Sequence, residues 1–289
     1  MKYKPCKTIA EIGCNHKGDL ETAKHLVKLS KDSGADVAKF QKRNSKELLP
    51  EYQYNAPHPN PINSYGKTYG EHREFLEFNK SEHKELMNFC NSIDIEYSTS
   101  VWDVTSAEEI CDLNPNLIKV PSASNTHYNM LEVLRDSYKG EVHVSFGMTT
   151  VNEQNKLVEF FEEKNQAKNR LIVYSCTSGY PVSFDDVCLL EILKIKDRFN
   201  GRVKDLGFSG HHLGISIDIA AYTLGVSWIE RHFTKDRTWK GTDHSASLEP
   251  TGFSKLTRDL KAAYKSLNYK NQEILDIEKP QRDKLKFSK

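Results

Sequence analysis

The chain has 289 residues, with 41 basic against 40 acidic side chains and a formal net charge of +1. That balance excludes a general nucleic-acid-binding or membrane-binding surface. No apolar run approaches the roughly 18 residues of a membrane span, the N-terminus MKYKPCKTIAEIG holds too short an apolar core for a signal peptide, and six cysteines without a CxxC pair read as free thiols of a reducing cytoplasm.

In chain order, short apolar or β-branched runs alternate with helical patterns. Residues 8–14 read as a strand. A helix follows over 20–33, with Ala23, Leu26, Val27 and Ser30 on one face and Gly34 as its stop. Further strands fall at 36–41, 95–99, 117–120, 142–146, 171–176, 206–209 and 228–233. Helices fit at 81–93, 104–113, 128–138, 151–165, 186–199, 214–224 and 252–267. Eight strands alternating with eight helices predict an α/β chain, a single-domain (β/α)8 TIM barrel. The competing open doubly wound sheet lacks support, because no glycine-rich phosphate turn follows the first strand. The barrel is expected over 1–270, with a polar, charged tail over 271–289.

One segment breaks the rhythm. Residues 42–80 contain NAPHPNPINSYGKTYGEHR, a long connection after the second strand, on the barrel face where active sites form. Read blandly, it is a tolerated surface insertion. Its Lys67, Tyr69, His72 and Arg73 also make a basic, hydrogen-bonding cluster suited to an anion-binding lid.

The strand ends are polar. They carry Glu11, then Lys39 and Gln41 two apart, then Ser98, Thr99 and Ser100. Lys119 and Ser122 follow, then Ser145, then Thr177, Ser178 and Tyr180. One buried lysine is ordinarily a salt-bridge partner. Two lysines and a ring of hydroxyls at one barrel mouth suit a small dianion instead. The last two strands end in Ser209 and His211, and in Glu230 and His232, with Asp243 close behind. Residues two apart on a strand share a side. A lone histidine is commonly structural, but two imidazoles and a carboxylate at neighbouring strand tips could hold a divalent metal with open positions.

The stretches IAEIGCNHKGDLETAKHL, GADVAKFQK, IKVPSAS, SCTSGYPVSFDDV, GFSGHHLGIS and IERHFTKDRTWKGTDHSASLEP together resemble the sialic acid synthases, from about residue 8 to residue 285. GKTYGEHREFLEF, the SGH after the seventh strand and WKGTDHSASLEP resemble the animal-type branch, which makes N-acetylneuraminate 9-phosphate. The resemblance implies a (β/α)8 barrel that condenses phosphoenolpyruvate with an N-acetylmannosamine-type aldehyde, aided by manganese or magnesium. It implies His211 and His232 as metal ligands. Lys39, Thr99, Lys119, Ser145, Ser178 and Ser209 would hold phosphoenolpyruvate, with Thr177 as an alternative to Ser178. Glu11, Gln41, Tyr180, Glu230 and Asp243 would face the sugar and the reacting water, Glu11 or Glu230 acting on that water. A homodimer is implied as well, because family members reach over a partner's site with a small C-terminal antifreeze-like domain. This chain is expected to stop where that domain would begin.

Two residues depart from the family pattern. His212 is an extra imidazole after His211, and Phe146 stands where a small hydroxyl residue is usual. Three other readings stay open on the residues alone. One is a Schiff-base aldolase using Lys39 or Lys119. Another is a different phosphoenolpyruvate-using synthase, such as the 3-deoxy-octulosonate 8-phosphate type. The last is a non-catalytic sugar-binding barrel.

Overall fold

The computed structural model describes residues 3–287. Eight parallel strands close into a barrel in chain order. They are β1 (Lys7–Gly13), β2 (Val37–Lys42), β3 (Glu96–Val101), β4 (Leu117–Val120), β5 (Glu141–Ser145), β6 (Leu171–Cys176), β7 (Asp205–Gly210) and β8 (Trp228–His232). β8 returns to β1, with Ile9 opposite Glu230 and Glu11 opposite His232. The expected TIM barrel is present. Among the described residues no helix is long and apolar enough to cross a membrane.

The helices follow from their caps and apolar stripes. Leu20–Asp32 starts where the Asp19 carboxylate accepts from the Thr22 amide, and buries Ala23, Leu26, Val27 and Ser30 against the strands. Gly34, at φ +86°, turns the chain back into β2. Reciprocal capping boxes start Lys80–Ser92 at Asn79 and Glu82, and Val151–Glu162 at Thr150 and Glu153.

Alternation along the strands sorts the two faces of the barrel. Outward residues such as Ala38, Phe40, Val142 and Val144 join the helices in the outer core. Inward, a bottom layer of Ile9, Val37, Leu117, Ile172, Tyr174 and Trp228 plugs the barrel. Gly207 belongs to this layer, and a Cβ there would stand 2.3 Å from the Tyr174 ring. One step up each strand, the same faces turn polar: Glu11, Lys39, Lys119, Ser209 and Glu230. That change of character marks the lower boundary of the site.

Several expectations are corrected. The third strand runs on to Val101, and the helix expected from 186 begins at Glu191 after a short 3-10 turn at Asp185–Val187. The long connection has secondary structure of its own. It holds short helices at Ser45–Leu48, Glu51–Tyr54 and Tyr69–Phe75, the last closed by a Thr68–Glu71 capping box. Past Ser266 the chain leaves the barrel and forms a short helix over Lys279–Leu285. Residues 1–2 and 288–289, the outer ends of the expected barrel and tail, lie outside the described residues.

Phe146 does not enter the barrel. It packs outward in the helical layer, 5.8 Å from the Phe199 ring. His212 is likewise structural. Its Nε2 accepts from the Arg231 guanidinium at 3.0 Å, and Arg231 also bridges to Asp218 and to the Gly214 carbonyl. All three side chains are fully covered, so this network ties β8 to the loop and helix that follow β7. Removing one member of such a buried charged set typically costs about 3–5 kcal/mol.

Candidate active site

Above the apolar plug the barrel opens into a cavity of about 380 Å3, the scale of a small-molecule site. Its floor carries four charged groups. Lys39 pairs with Glu11, donates to Ser100 Oγ at 2.8 Å and lies 3.8 Å from Glu230. Lys119 donates to Glu230 Oε2 at 2.8 Å and stands 4.2 Å over the Tyr174 ring. Glu230 Oε1 accepts from Ser209 at 3.1 Å, and Glu11 Oε1 accepts from Gln41 at 3.0 Å. Burial acts to raise the Glu230 carboxyl, but the charges of Lys119 and Lys39 outweigh it and hold it well below the usual range. Burial is also the main force that lowers Lys119, against the pull of Glu230.

Hydroxyls make one wall. Gly147 follows β5, and a Cβ there would stand 2.4 Å from Ser178 Oγ and 2.5 Å from Ser122 Oγ, so both hydroxyls crowd the bare backbone. Ser145 lies just before it. The buried Asn125 amide braces this turn by donating to the Ser145 carbonyl at 2.9 Å and to Thr149 Oγ1 at 2.6 Å. Thr177 does not replace Ser178: its hydroxyl donates to the Asp186 carbonyl at 3.0 Å, away from the cavity.

The two histidines meet at the mouth, their rings 5.4 Å apart. His211 Nδ1 is 3.0 Å from the Thr177 carbonyl. A carbonyl only accepts, so Nδ1 carries the proton and Nε2 presents a lone pair. Burial, then the neighbouring His232, push the His211 pKa down to about 3. His232 Nδ1 is buried without a hydrogen-bond partner and lies 3.8 Å from Asp243 Oδ2. Tyr180 covers both rings, 4.4 Å from His211 and 5.9 Å from His232. Asp243 accepts from Thr242 at 3.0 Å. Gly13 sits where Asp243, Glu11 and Gln41 converge, all three within 3.6 Å of its missing Cβ. These donors suit a divalent ion, with one imidazole locked in its ligating tautomer and the other holding an unsatisfied nitrogen. Among the described residues no set of three or more His, Cys, Asp or Glu groups is already gathered to hold one.

The opposite wall is basic and aromatic. Arg43 donates to Cys14 Sγ at 2.8 Å and pairs with Glu77. Arg73 donates to Tyr69 Oη at 2.8 Å. Both guanidiniums flank the Trp102 ring, at 5.5 and 5.7 Å. Burial lowers the Arg73 pKa most, followed by the charge of Arg43. Trp102 Nε1 is buried and has no hydrogen-bond partner. His58 and His72 complete this wall, their rings 4.3 Å apart.

Most of the site residues expected from sequence line this cavity: Glu11, Lys39, Gln41, Tyr69, Arg73, Lys119, Ser122, Ser145, Ser178, Tyr180, Ser209, His211, Glu230, His232 and Asp243. Two do not. Thr99 lies opposite Phe40 on the outer face of the sheet, and Ser100, one residue on, takes the inward position. Lys67 is exposed outside the cavity; its backbone amide donates to Glu71 at the start of the short helix. Sequence reasoning also passed over Arg43 and Trp102, and took Thr99 rather than the neighbouring Ser100 as the ligand at the third strand's end. Arg43 lies on a continued two-residue step, Lys39–Gln41–Arg43, so strand parity carried past the strand end would have found it.

Residues 26–272 match the NeuB family. Human N-acetylneuraminate-9-phosphate synthase is 36% identical over 97% of this chain and 76% of its own length. The N,N'-diacetyllegionaminic acid synthase of Campylobacter jejuni is 31% identical over 90% of this chain and 76% of its own. Among solved structures, the N-acetylneuraminic acid synthetase of Leptospira borgpetersenii, in complex with citrate, superposes with a TM-score of 0.81 at 28% identity, covering 98% of this chain and 93% of that one.

Proposed function

The chain belongs to the NeuB family, and from that premise we propose that it condenses phosphoenolpyruvate with an N-acetylmannosamine-type aldehyde to give a sialic-acid-type nonulosonic acid and phosphate. The observation that carries this reading is the cavity floor. Two lysines, each paired to a carboxylate, lie beside a wall of serine hydroxyls and below two imidazoles.

Phosphoenolpyruvate carries charge at both ends. Lys39 and Lys119 supply the counter-charge, and Ser122, Ser145, Ser178 and Ser209 supply short hydrogen bonds to its oxygens. C3 of phosphoenolpyruvate attacks the aldehyde carbon and forms the new C–C bond. Water adds to C2, and phosphate leaves with the C2–O bond broken. Glu11 and Glu230 face this centre. Glu11, held by Gln41, positions the water and takes its proton, which passes to the new alkoxide, and Glu230 keeps its bond from Ser209 as the dianion takes its place beside Lys119. Asp243 and Tyr180 contact the sugar. His211 and His232 would hold a divalent ion such as manganese or magnesium, which when bound polarises the aldehyde carbonyl. Because each lysine is paired to a carboxylate, both act as anion-binding ammonium groups rather than as free amines for imine formation.

The distal wall favours an aldehyde that is itself phosphorylated. Arg73, whose guanidinium donates to Tyr69 and forms no ion pair among the described residues, is the group available to an anion; Arg43 beside it is already paired to Glu77. The human relative's product, a 9-phosphate, is consistent with a 6-phosphate on the acceptor sugar. The reading also carries a homodimer in a reducing cytoplasm, which the six unpaired cysteines suit.

The test is phosphate release from phosphoenolpyruvate with a panel of free and 6-phosphorylated hexosamines, with and without divalent metal, and mass analysis of the product. Turnover with N-acetylmannosamine or its 6-phosphate is expected. Absence of release with every aldehyde and every metal would refute the reading.

A further inference from the structure

Two loops meet over the cavity mouth. The connection after β2 carries Tyr69 and Arg73 and the loop after β8 carries Asp243, and all three line the cavity. They touch at three points. Tyr65 Oη donates to the Lys240 carbonyl at 2.6 Å, the Gly241 amide donates to Asn63 Oδ1 at 3.3 Å, and Lys240 Nζ stands 4.7 Å over the Tyr65 ring. Tyr65 is itself seated. Its ring stacks on Phe75 at 5.1 Å and 7°, and its backbone amide donates to His72 Nδ1 at 3.1 Å. Phe75 in turn rests against Gly18, after β1, where a Cβ would stand 2.3 Å from the Phe75 carbonyl.

On the other side, Gly241 has φ +147°, a conformation other residues rarely adopt, and only Thr242 separates it from Asp243. The clasp therefore grips the backbone immediately before the carboxylate. Asp243 has one side-chain hydrogen bond of its own, from Thr242 at 3.0 Å, and lies 3.8 Å from His232.

We propose that Asn63 and Tyr65 are positioning residues for Asp243: they pin the loop after β8 to the connection after β2 and so fix that carboxylate against the bound sugar. The proposal rests on the synthase reading of the cavity. It makes one mechanical unit of the two loops, so Arg73 and Asp243 move together.

Three variants separate the clasp from general structure. Tyr65→Phe keeps the stack on Phe75 and removes the bond to Lys240; Asn63→Ala removes the acceptor for Gly241, and Asn63→Asp restores it. Each of the first two should lower kcat/KM for the aldehyde by about five- to tenfold, the equivalent of one hydrogen bond, and leave KM for phosphoenolpyruvate unchanged. Asn63→Asp should recover most of the loss. In an Asp243→Asn background, Tyr65→Phe should cause no further loss, because the residue it positions is already disabled. Additive losses in that background would overturn the proposal. Amide hydrogen exchange at residues 241–243 gives a readout independent of turnover. Exchange about fivefold faster or more in Asn63→Ala, but not in Asn63→Asp, supports the clasp. Unchanged exchange overturns it, even if the wild-type protein condenses none of the aldehydes tested.

Discussion

Lys119→Met separates two roles of one side chain. Lys119 holds Glu230 at 2.8 Å and covers the Tyr174 ring. Methionine keeps the aliphatic body and removes the charge. Glu230 then retains Ser209 at 3.1 Å and Lys39 at 3.8 Å. Stripping a buried carboxylate of its only partner costs about 3–5 kcal/mol; with two partners left, a loss of about 2 kcal/mol is expected here. Phosphoenolpyruvate loses one charge-assisted contact, about 1.5–3 kcal/mol or roughly ten- to a hundredfold in Kd. Adding Glu230→Gln removes the stranded charge. The double variant should regain at least about 1 kcal/mol of stability yet still bind phosphoenolpyruvate weakly. Urea midpoints and calorimetric titration with phosphoenolpyruvate on all four corners of the cycle measure both effects. Wild-type affinity in Lys119→Met, or a double variant no more stable than the single, would refute this account of the floor.

Acid should unfold the protein early. Burial holds the imidazoles of His16 and His83 down to about 3. Their folded pKa values lie below the unfolded value of about 6.5, so the stability they contribute is full above that pH and is lost as pH falls towards 3. At pH 5 each removes about 2 kcal/mol, which urea midpoints between pH 7 and 5 will show; a flat profile contradicts it. Chelation should abolish turnover and manganese restore it, and His232→Ala should lose metal affinity, by calorimetry, while keeping its circular dichroism; full turnover in a metal-free preparation counts against the histidine site. Arg73→Ala should lower kcat/KM for a 6-phosphorylated aldehyde by roughly ten- to a hundredfold and affect the free sugar much less. Equal loss on both sugars would place the arginine elsewhere in the mechanism.

The barrel was legible because its two periodicities are local. Val37, Lys39 and Gln41 announce an inward face by alternation, and Ala23, Leu26, Val27 and Ser30 announce a helix by their stripe. What local pattern does not carry is the phase of a short strand. β3 reads EYSTSV, with three adjacent small hydroxyl residues, so nothing in composition says whether Thr99 or Ser100 points inward. Pairing with β2 decides it: Lys39 lies opposite Ser98 and Gln41 opposite Ser100. The phase of β7 and β8 was clearer, because Ser209, His211, Glu230 and His232 share one parity. The opposite parity carries His212 and Arg231, whose partnership with Asp218 is tertiary and cannot be read from spacing. The same holds for Trp102, whose place between Arg43 and Arg73 depends on how the connection after β2 folds back over the mouth.

The pairing of charges on the floor also bears on how the cavity works. Two ammonium and two carboxylate groups kept from water are tolerable because each has a partner of opposite sign and hydrogen bonds besides. On the proposed reading, a dianion entering between the lysines exchanges one set of partners for another; it does not have to neutralise bare charge. The carboxylates it displaces are not stranded either. Glu11 keeps the Gln41 amide, and Glu230 keeps Ser209. Both carboxylates then face the space left for the aldehyde and the water, with Asp243 close to Glu11 and His232 at the rim. On this view the lysines hold the carboxylates until phosphoenolpyruvate binds, and the substrate's own charge releases them for the second half of the reaction.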